Sequence, residues 1–266
     1  RHDVLTEAEL ATYQAPGLLL RHLREHAARV GRRLRVLEWG CGRGRLLALL
    51  LEEGFDAYGC DVDTGPLRNG RDLFAKRGWE PERRMLCWQP GEPLPFPDGF
   101  FDVLVSDQVL EHVGPLDAVL AEMARLTAPD GQGIHRFPSH RRLHEPHLGM
   151  PLVHWLPKNG IRRAAIRLFV ALGVHARWPE LGPCSGAETA RRYHAYSVDH
   201  TWYRPPRALR AALRRHGLEA RFRGAGGRSR LLYAAARLRP LRPLASRWRL
   251  TFHASWMFVR PAGARS

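Results

Sequence analysis

Lysine is almost missing from this chain. Two lysines, Lys76 and Lys158, stand against forty arginines, and 26 acids leave a formal net charge of +16. Long apolar runs are missing too. None reaches the roughly 18–20 residues that cross a bilayer, so no spanning helix is expected. The four cysteines, Cys41, Cys60, Cys87 and Cys184, form no C-x-x-C pair. That argues against a dithiol or zinc-ribbon framework and fits a reducing compartment. No leader pattern of charged, apolar and small residues opens the sequence, which adds to a cytoplasmic expectation. What is present is 266 residues at 44% hydrophobic content, enough for one sizeable α/β core.

The most informative stretch is Arg35-Val-Leu-Glu-Trp-Gly-Cys-Gly-Arg-Gly44. An apolar run suited to a buried parallel strand ends at Glu38, and Gly40, Gly42 and Gly44 follow at strict alternation. Such glycines allow positive φ and let a ligand approach the backbone without meeting a Cβ. Arg45–Glu53 then has helix-forming composition, so the glycines occupy a strand-to-helix crossover, where open α/β sheets bind ligands. The dinucleotide pattern G-x-G-x-x-G is not met, because position 45 is Arg. A second strand, within Phe55–Asp63, ends in acids. Asp61, about twenty residues beyond the turn, is placed to accept both hydroxyls of a ribose. Capping of the next helix is the competing role, and it suits Asp63 better.

A third block runs Leu94-Pro-Phe-Pro-Asp-Gly-Phe-Phe-Asp-Val-Leu-Val-Ser-Asp-Gln-Val-Leu-Glu-His-Val113. It reads as a Pro/Gly turn, a buried strand at Phe101–Ser106, and a new helix or turn. Helical spacing follows at Leu116–Leu126. Ala128–Gly131 reads as a stop, and Gly133–Pro138 as the fifth strand.

With E-x-G-x-G-x-G at Glu38–Gly44 and the "LPFPDG…LEHV" run, the chain resembles class I S-adenosylmethionine-dependent methyltransferases, in the group with small-molecule and quinone methylating enzymes. The resemblance implies a Rossmann-like α/β fold of seven strands, mostly parallel with an antiparallel last strand. It implies S-adenosylmethionine as cofactor, held by Glu38, Gly40, Gly42, Gly44 and Asp61, with Asp107 facing the methionine side and His112 near the pocket. A structural role for His112 stands beside that reading. One departure concerns the adenine. The acid usual before "LPF" is replaced around Pro90, leaving the Gln89 amide oxygen and the Trp88 ring for that contact.

Residues 138–203 interrupt this plan, and a structureless loop so long inside a compact domain would be unusual unless functional. Ile161–Leu172 supplies a short amphipathic helix, so the insertion reads as a lid over the methyl end of the cofactor. Its "EPHxGxPxxHWLP" run looks like one in bacterial methyltransferases of the same broad group. Within the lid, His147, His154 and Glu145 are candidate general bases, with His112 from the core. Hydrogen bonding that shapes the lid is the other reading for each. Methyl transfer from a sulfonium also proceeds by alignment alone. No H-E-x-x-H or Cys/His finger spacing occurs among His135, His140, His144, His147 and His154, so no metal is expected.

Charge divides the chain. Residues 134–266 hold 25 arginines and one lysine against five acids, while the remainder holds 16 bases against 21 acids. Codon bias explains arginine over lysine but not this placement, which suggests an electropositive acceptor side. Exposed aromatics interleaved with a basic groove are not evident, so nucleic acid is not the expected partner. Leu231–Trp248 alternates apolar and arginine residues in a way suited to an anionic membrane or a partner, although Pro240 and Pro243 favour local packing.

The expectation is therefore one methyltransferase domain over residues 1–266. Its parts are cap helices (1–32), a cofactor-binding core (33–137), the lid (138–203) and a returning core segment (204–266). The expected function is methyl donation to a small-molecule acceptor, anionic in character, such as a secondary metabolite or a glycan- or lipid-linked compound. A lyase or cyclase acting on the cofactor's aminobutyrate arm would share every motif, as would a non-catalytic binding module.

Overall fold

The computed structural model describes residues 4–224 and 254–263. Five parallel strands come first: β1 (Arg35–Trp39), β2 (Asp56–Asp61), β3 (Met85–Cys87), β4 (Phe101–Asp107) and β5 (Thr127–Pro138). They are interleaved with helices α3 (Arg45–Glu52), α4 (Thr64–Lys76), α5 (Pro81–Arg84) and α6 (Asp117–Leu126), after an amino-terminal pair α1 (Glu7–Thr12) and α2 (Gly17–Val30). A small hairpin, β6 (His144–Glu145) and β7 (Met150–Pro151), opens the insertion, and α7 (Gly160–Ala171) and α8 (Gly186–Asp199) complete it. The chain then returns through α9 (Pro206–Arg215), β8 (Leu218–Gly224) and β9 (Ala254–Pro261). The main sheet has the order β3-β2-β1-β4-β5-β9-β8, with β9 antiparallel to both of its neighbours. This is the Rossmann-like methyltransferase arrangement that the motifs implied.

Strand alternation divides the core. Val36, Val103 and Val105 pack with Leu47 and Phe74 on one face, whereas Leu37 and Leu104 pack with Leu120 and Leu213 on the other. A strand covered on both faces needs such near-continuous apolar sequence. Strand order reverses between β1 and β4, and their carboxyl ends bound the crevice where open sheets bind ligands.

Two expectations about elements need correction. Ala128–Gly131 does not end an element before the fifth strand. Thr127 already pairs with Phe101, the register then shifts, and Val103 pairs with Gln132. Pro129 has no amide hydrogen to give the ladder, so this stretch is accommodated as an irregularity inside a longer strand. The insertion also holds a second helix, α8, which the sequence reading did not resolve. Ser185 caps it by accepting from the Glu188 amide. Tyr193 on α8 and Ile166 on α7 join Leu148, Met150 and Val153 in a separate small core. The insertion is thus built on its own packing.

The Leu231–Trp248 segment lies outside the described residues. Among those described, no helix is long and apolar enough to cross a membrane.

Candidate functional site

The glycine turn is a backbone device. Gly40 has φ +72°, and a Cβ there would come within 2.5 Å of the Val109 side chain. Gly42 has φ +53° with nothing within 4 Å of a notional Cβ, so conformation rather than crowding selects glycine there. Asp61 locks the turn from the next strand. Its carboxylate accepts from the amides of Gly42 (2.8 Å) and Asp63 (3.0 Å). Asp63 caps α4 by accepting from Gly65 (2.8 Å), the role expected of it.

Above this turn lies a cavity of about 410 Å³ walled by Gly40, Asp61, Trp88, Gln108, Val109 and His112, among others. Trp88 is oriented by its indole donating to the Glu92 carbonyl (2.7 Å) and by an edge contact with Trp39. Of the residues assigned to cofactor binding, Gly40, Asp61 and Trp88 reach this wall. Gly42 and Gly44 shape the turn beneath it. Three others stand elsewhere. Glu38 is buried and its Oε2 has no hydrogen-bond partner among the described residues. Burial, with help from Asp107 and Asp61, holds its carboxyl well above the usual range. Asp107 is committed to Arg136, which donates from Nε (2.5 Å) and Nη2 (2.6 Å). Exposed Gln89 donates to the Val62 carbonyl (3.3 Å), and Pro90, not Gln89, reaches the wall.

Gln108 was missed. It has φ +58°, lines the cavity, and its side-chain amide has no hydrogen bond among the described residues. Its place just past the β4 carboxyl end was the available signal, but nothing about glutamine announces positive φ.

The candidate bases separate into two groups. Glu145 is buried and accepts from His147 Nδ1 (2.8 Å), the Tyr203 hydroxyl and the Leu148 amide. Burial pushes its carboxyl up, but those hydrogen bonds hold it below its ordinary value. The rings of His147 and His112 meet edge to face at 4.8 Å, and His112 Nδ1 donates to the His200 carbonyl (2.7 Å). Beside them sits Glu111, buried, with both oxygens unpartnered and its pKa pushed up to about 7, chiefly by burial. Glu111 directly precedes His112 in the sequence and is not among the bases expected from it. His154 faces the other way. Its Nε2 meets the His140 carbonyl at 3.2 Å, its ring packs on Tyr203, and burial pulls its pKa down to about 4.

His154 instead borders a second cavity of about 170 Å³, with Lys158, Arg162 and Arg204. These cations are held by carbonyls: Lys158 by Val198 (2.6 Å), Arg162 by Leu156 (3.0 Å) and Ser197 (3.1 Å), Arg204 by Val113 (2.7 Å) and Leu110 (3.1 Å). None pairs with a carboxylate among the described residues. Burial lowers the pKa of each.

The residues suit S-adenosylmethionine. The cavity has ligand-sized volume, a carboxylate for hydroxyls, an aromatic wall and a glycine floor, and the buried Glu38 Oε2 below it lacks a partner.

Residues 37–134 match the family described as "Methyltransferase domain". A demethylmenaquinone methyltransferase of Beutenbergia cavernae is 36% identical over 100 residues, 37% of this chain and 38% of that one. The chain thus spans under half the length of the curated relatives it matches. A Burkholderia thailandensis 1,6-didemethyltoxoflavin-N1-methyltransferase, solved with S-adenosylhomocysteine, superposes with TM-score 0.50 at 17% identity, covering 92% of this chain and 79% of that one. The [4+2]-cyclase SpnF gives TM-score 0.51 at 17% identity, covering 91% and 81%.

Proposed function

We propose that this chain, which carries a class I S-adenosylmethionine-dependent methyltransferase domain, methylates a small-molecule acceptor bearing an anionic group. The observation that carries the reading is the contact between the two halves at His112, a wall residue of the 410 Å³ cavity whose ring touches lid residue His147. Glycine turn and lid cluster therefore meet where a cofactor's reactive end and an acceptor would adjoin. S-adenosylmethionine, when bound, supplies a sulfonium-activated methyl group.

The chain's own residues do the remaining work. Gly40 and Asp61 hold the ribose side, and Trp88 offers a face to the adenine. Glu145 fixes the orientation of the His147 ring, as a buried carboxylate does for an imidazole base. Polar groups near the transferred methyl, Glu111, His112 and His147, receive the nucleophile. The Lys158–Arg162–Arg204 pocket takes the acceptor's anionic group, since its cations lack carboxylate partners. Alignment and exclusion of water by the lid supply most of the rate.

The test is incubation with S-adenosylmethionine, alone and with a panel of carboxylated or phosphorylated hydroxy-compounds, following both sulfur products by mass spectrometry. S-adenosylhomocysteine formed only with an acceptor supports the reading. Methylthioadenosine formed without one sinks it in favour of a lyase.

A further inference from the structure

We propose that Glu111, His112 and His147 form a binding site for one divalent first-row transition ion at the junction of lid and cofactor cavity. Glu111 is 2% exposed and neither carboxylate oxygen has a hydrogen-bond partner among the described residues. A carboxylate enclosed in this way is normally paired or bound to a metal. One candidate ligand atom from each of the three residues lies within 4.8 Å of the others.

The two imidazoles are prepared for ligation. A carbonyl only accepts, so the 2.7 Å contact of His112 Nδ1 with the His200 oxygen puts the proton on Nδ1. Its Nε2 therefore carries the lone pair, and that atom is 3.9 Å from Glu111 Oε1. His147 Nδ1 likewise donates to the Glu145 carboxylate at 2.8 Å, leaving its Nε2 free. Histidine ligands are commonly fixed in this way by a carbonyl or carboxylate on the far nitrogen. His200 lies in the insertion and His112 in the core, so docking of the insertion sets the His112 tautomer, whereas that of His147 is set within the insertion by Glu145.

Two imidazoles and one carboxylate select a transition ion over magnesium or calcium, which prefer all-oxygen sets. A tetrahedral ion with bonds of about 2.1 Å needs ligand atoms roughly 3.4 Å apart, so modest side-chain rotation closes the set. Three protein ligands leave a position open, and His112 places it beside the 410 Å³ cavity. An acceptor hydroxyl bound there would lose its proton more readily. The O–H bond breaks, the electron pair stays on oxygen and the proton leaves to water. That role rests on the methyl-transfer reading above, whereas the site itself does not. The spacing conceals the site from motif searches, since Glu111 and His112 are adjacent and His147 lies in the insertion.

The experiment uses untagged protein stripped with a chelator and titrated with cobalt(II) chloride, with no cofactor or acceptor present. One cobalt per chain, with visible d–d absorption that zinc displaces, is the expected result. Glu111→Gln and His147→Gln should abolish that spectrum. Glu145→Gln, which touches His147 rather than the ion, should weaken binding roughly 10–100-fold. Each variant is checked by its melt and by S-adenosylhomocysteine binding, and Glu111→Gln, nearly isosteric, serves if His147→Gln unfolds. No cobalt binding, or stoichiometric binding that survives these substitutions, overturns the site. Cobalt binding without methyl transfer to any acceptor would sink the functional reading and leave the site standing.

Discussion

The glycine-turn side of the cavity and the side formed with the insertion are made from different materials. Around the glycine turn the working parts are backbone groups: positive-φ residues, and amides of Gly42 and Asp63 held by one carboxylate. Across the cavity they are side chains drawn from far apart, with His147 held by Glu145 and Tyr203, and His112 by the His200 carbonyl. A backbone site is written into a short contiguous motif, so a local pattern reveals it. A side-chain site assembled by an insertion depends on how that insertion docks.

Breaking the backbone half should have the largest effect. Gly40→Ala places a methyl against the stiff Val109 side chain in a left-handed conformation. Strain and collision together should cost about 3 kcal/mol, a loss of ~100-fold in S-adenosylhomocysteine affinity by calorimetry. An unchanged affinity would show that the turn does not hold the cofactor.

Acid should loosen the sheet half by a comparable amount. His135 on β5 is fully enclosed, contacts the Ser106 hydroxyl at 2.8 Å, and has its pKa lowered from 6.5 to about 4 by burial. The folded value lies below the unfolded one, so the contribution is complete above pH 6.5 and is lost as pH falls through about 4. The shift corresponds to about 3 kcal/mol. Denaturant melts across that window should show the loss, and His135→Asn, which keeps a partner for Ser106, should flatten it.

Sharpening the contrast from the lid side, Glu145→Gln should lower methyl transfer roughly 10–100-fold while S-adenosylhomocysteine binds normally. An equal loss in both would mean that the halves are not separable. The smallest expected effect is Lys158→Gln, a rise of about 5–10-fold in KM for an anionic acceptor, reduced at high salt. A neutral acceptor should show no rise.

Legibility follows the same division. Glu38 was readable as a motif position, yet its carboxyl is buried beside Leu47 instead of on the cavity wall. Asp107 sat at the right strand end, but Arg136, opposite it on β5, claims both of its oxygens. Gln89 lost to Pro90 because a one-residue difference on a turn reverses which side chain faces inward. The lid's second helix escaped notice because α8 buries only one narrow stripe, including Tyr193 and Ser197, among polar residues.

By itself the sequence determined the strand order's chemistry: apolar runs for doubly covered strands, alternating glycines for a positive-φ turn, and an acid one strand later. These are local requirements of backbone geometry, and few residue types satisfy them. Only the tertiary structure decided that Glu111, His112 and His147 converge, that His154 turns away, and that three cations share a pocket without carboxylates. Those facts depend on packing between segments distant in sequence, where many residue combinations fit and none leaves a local signature.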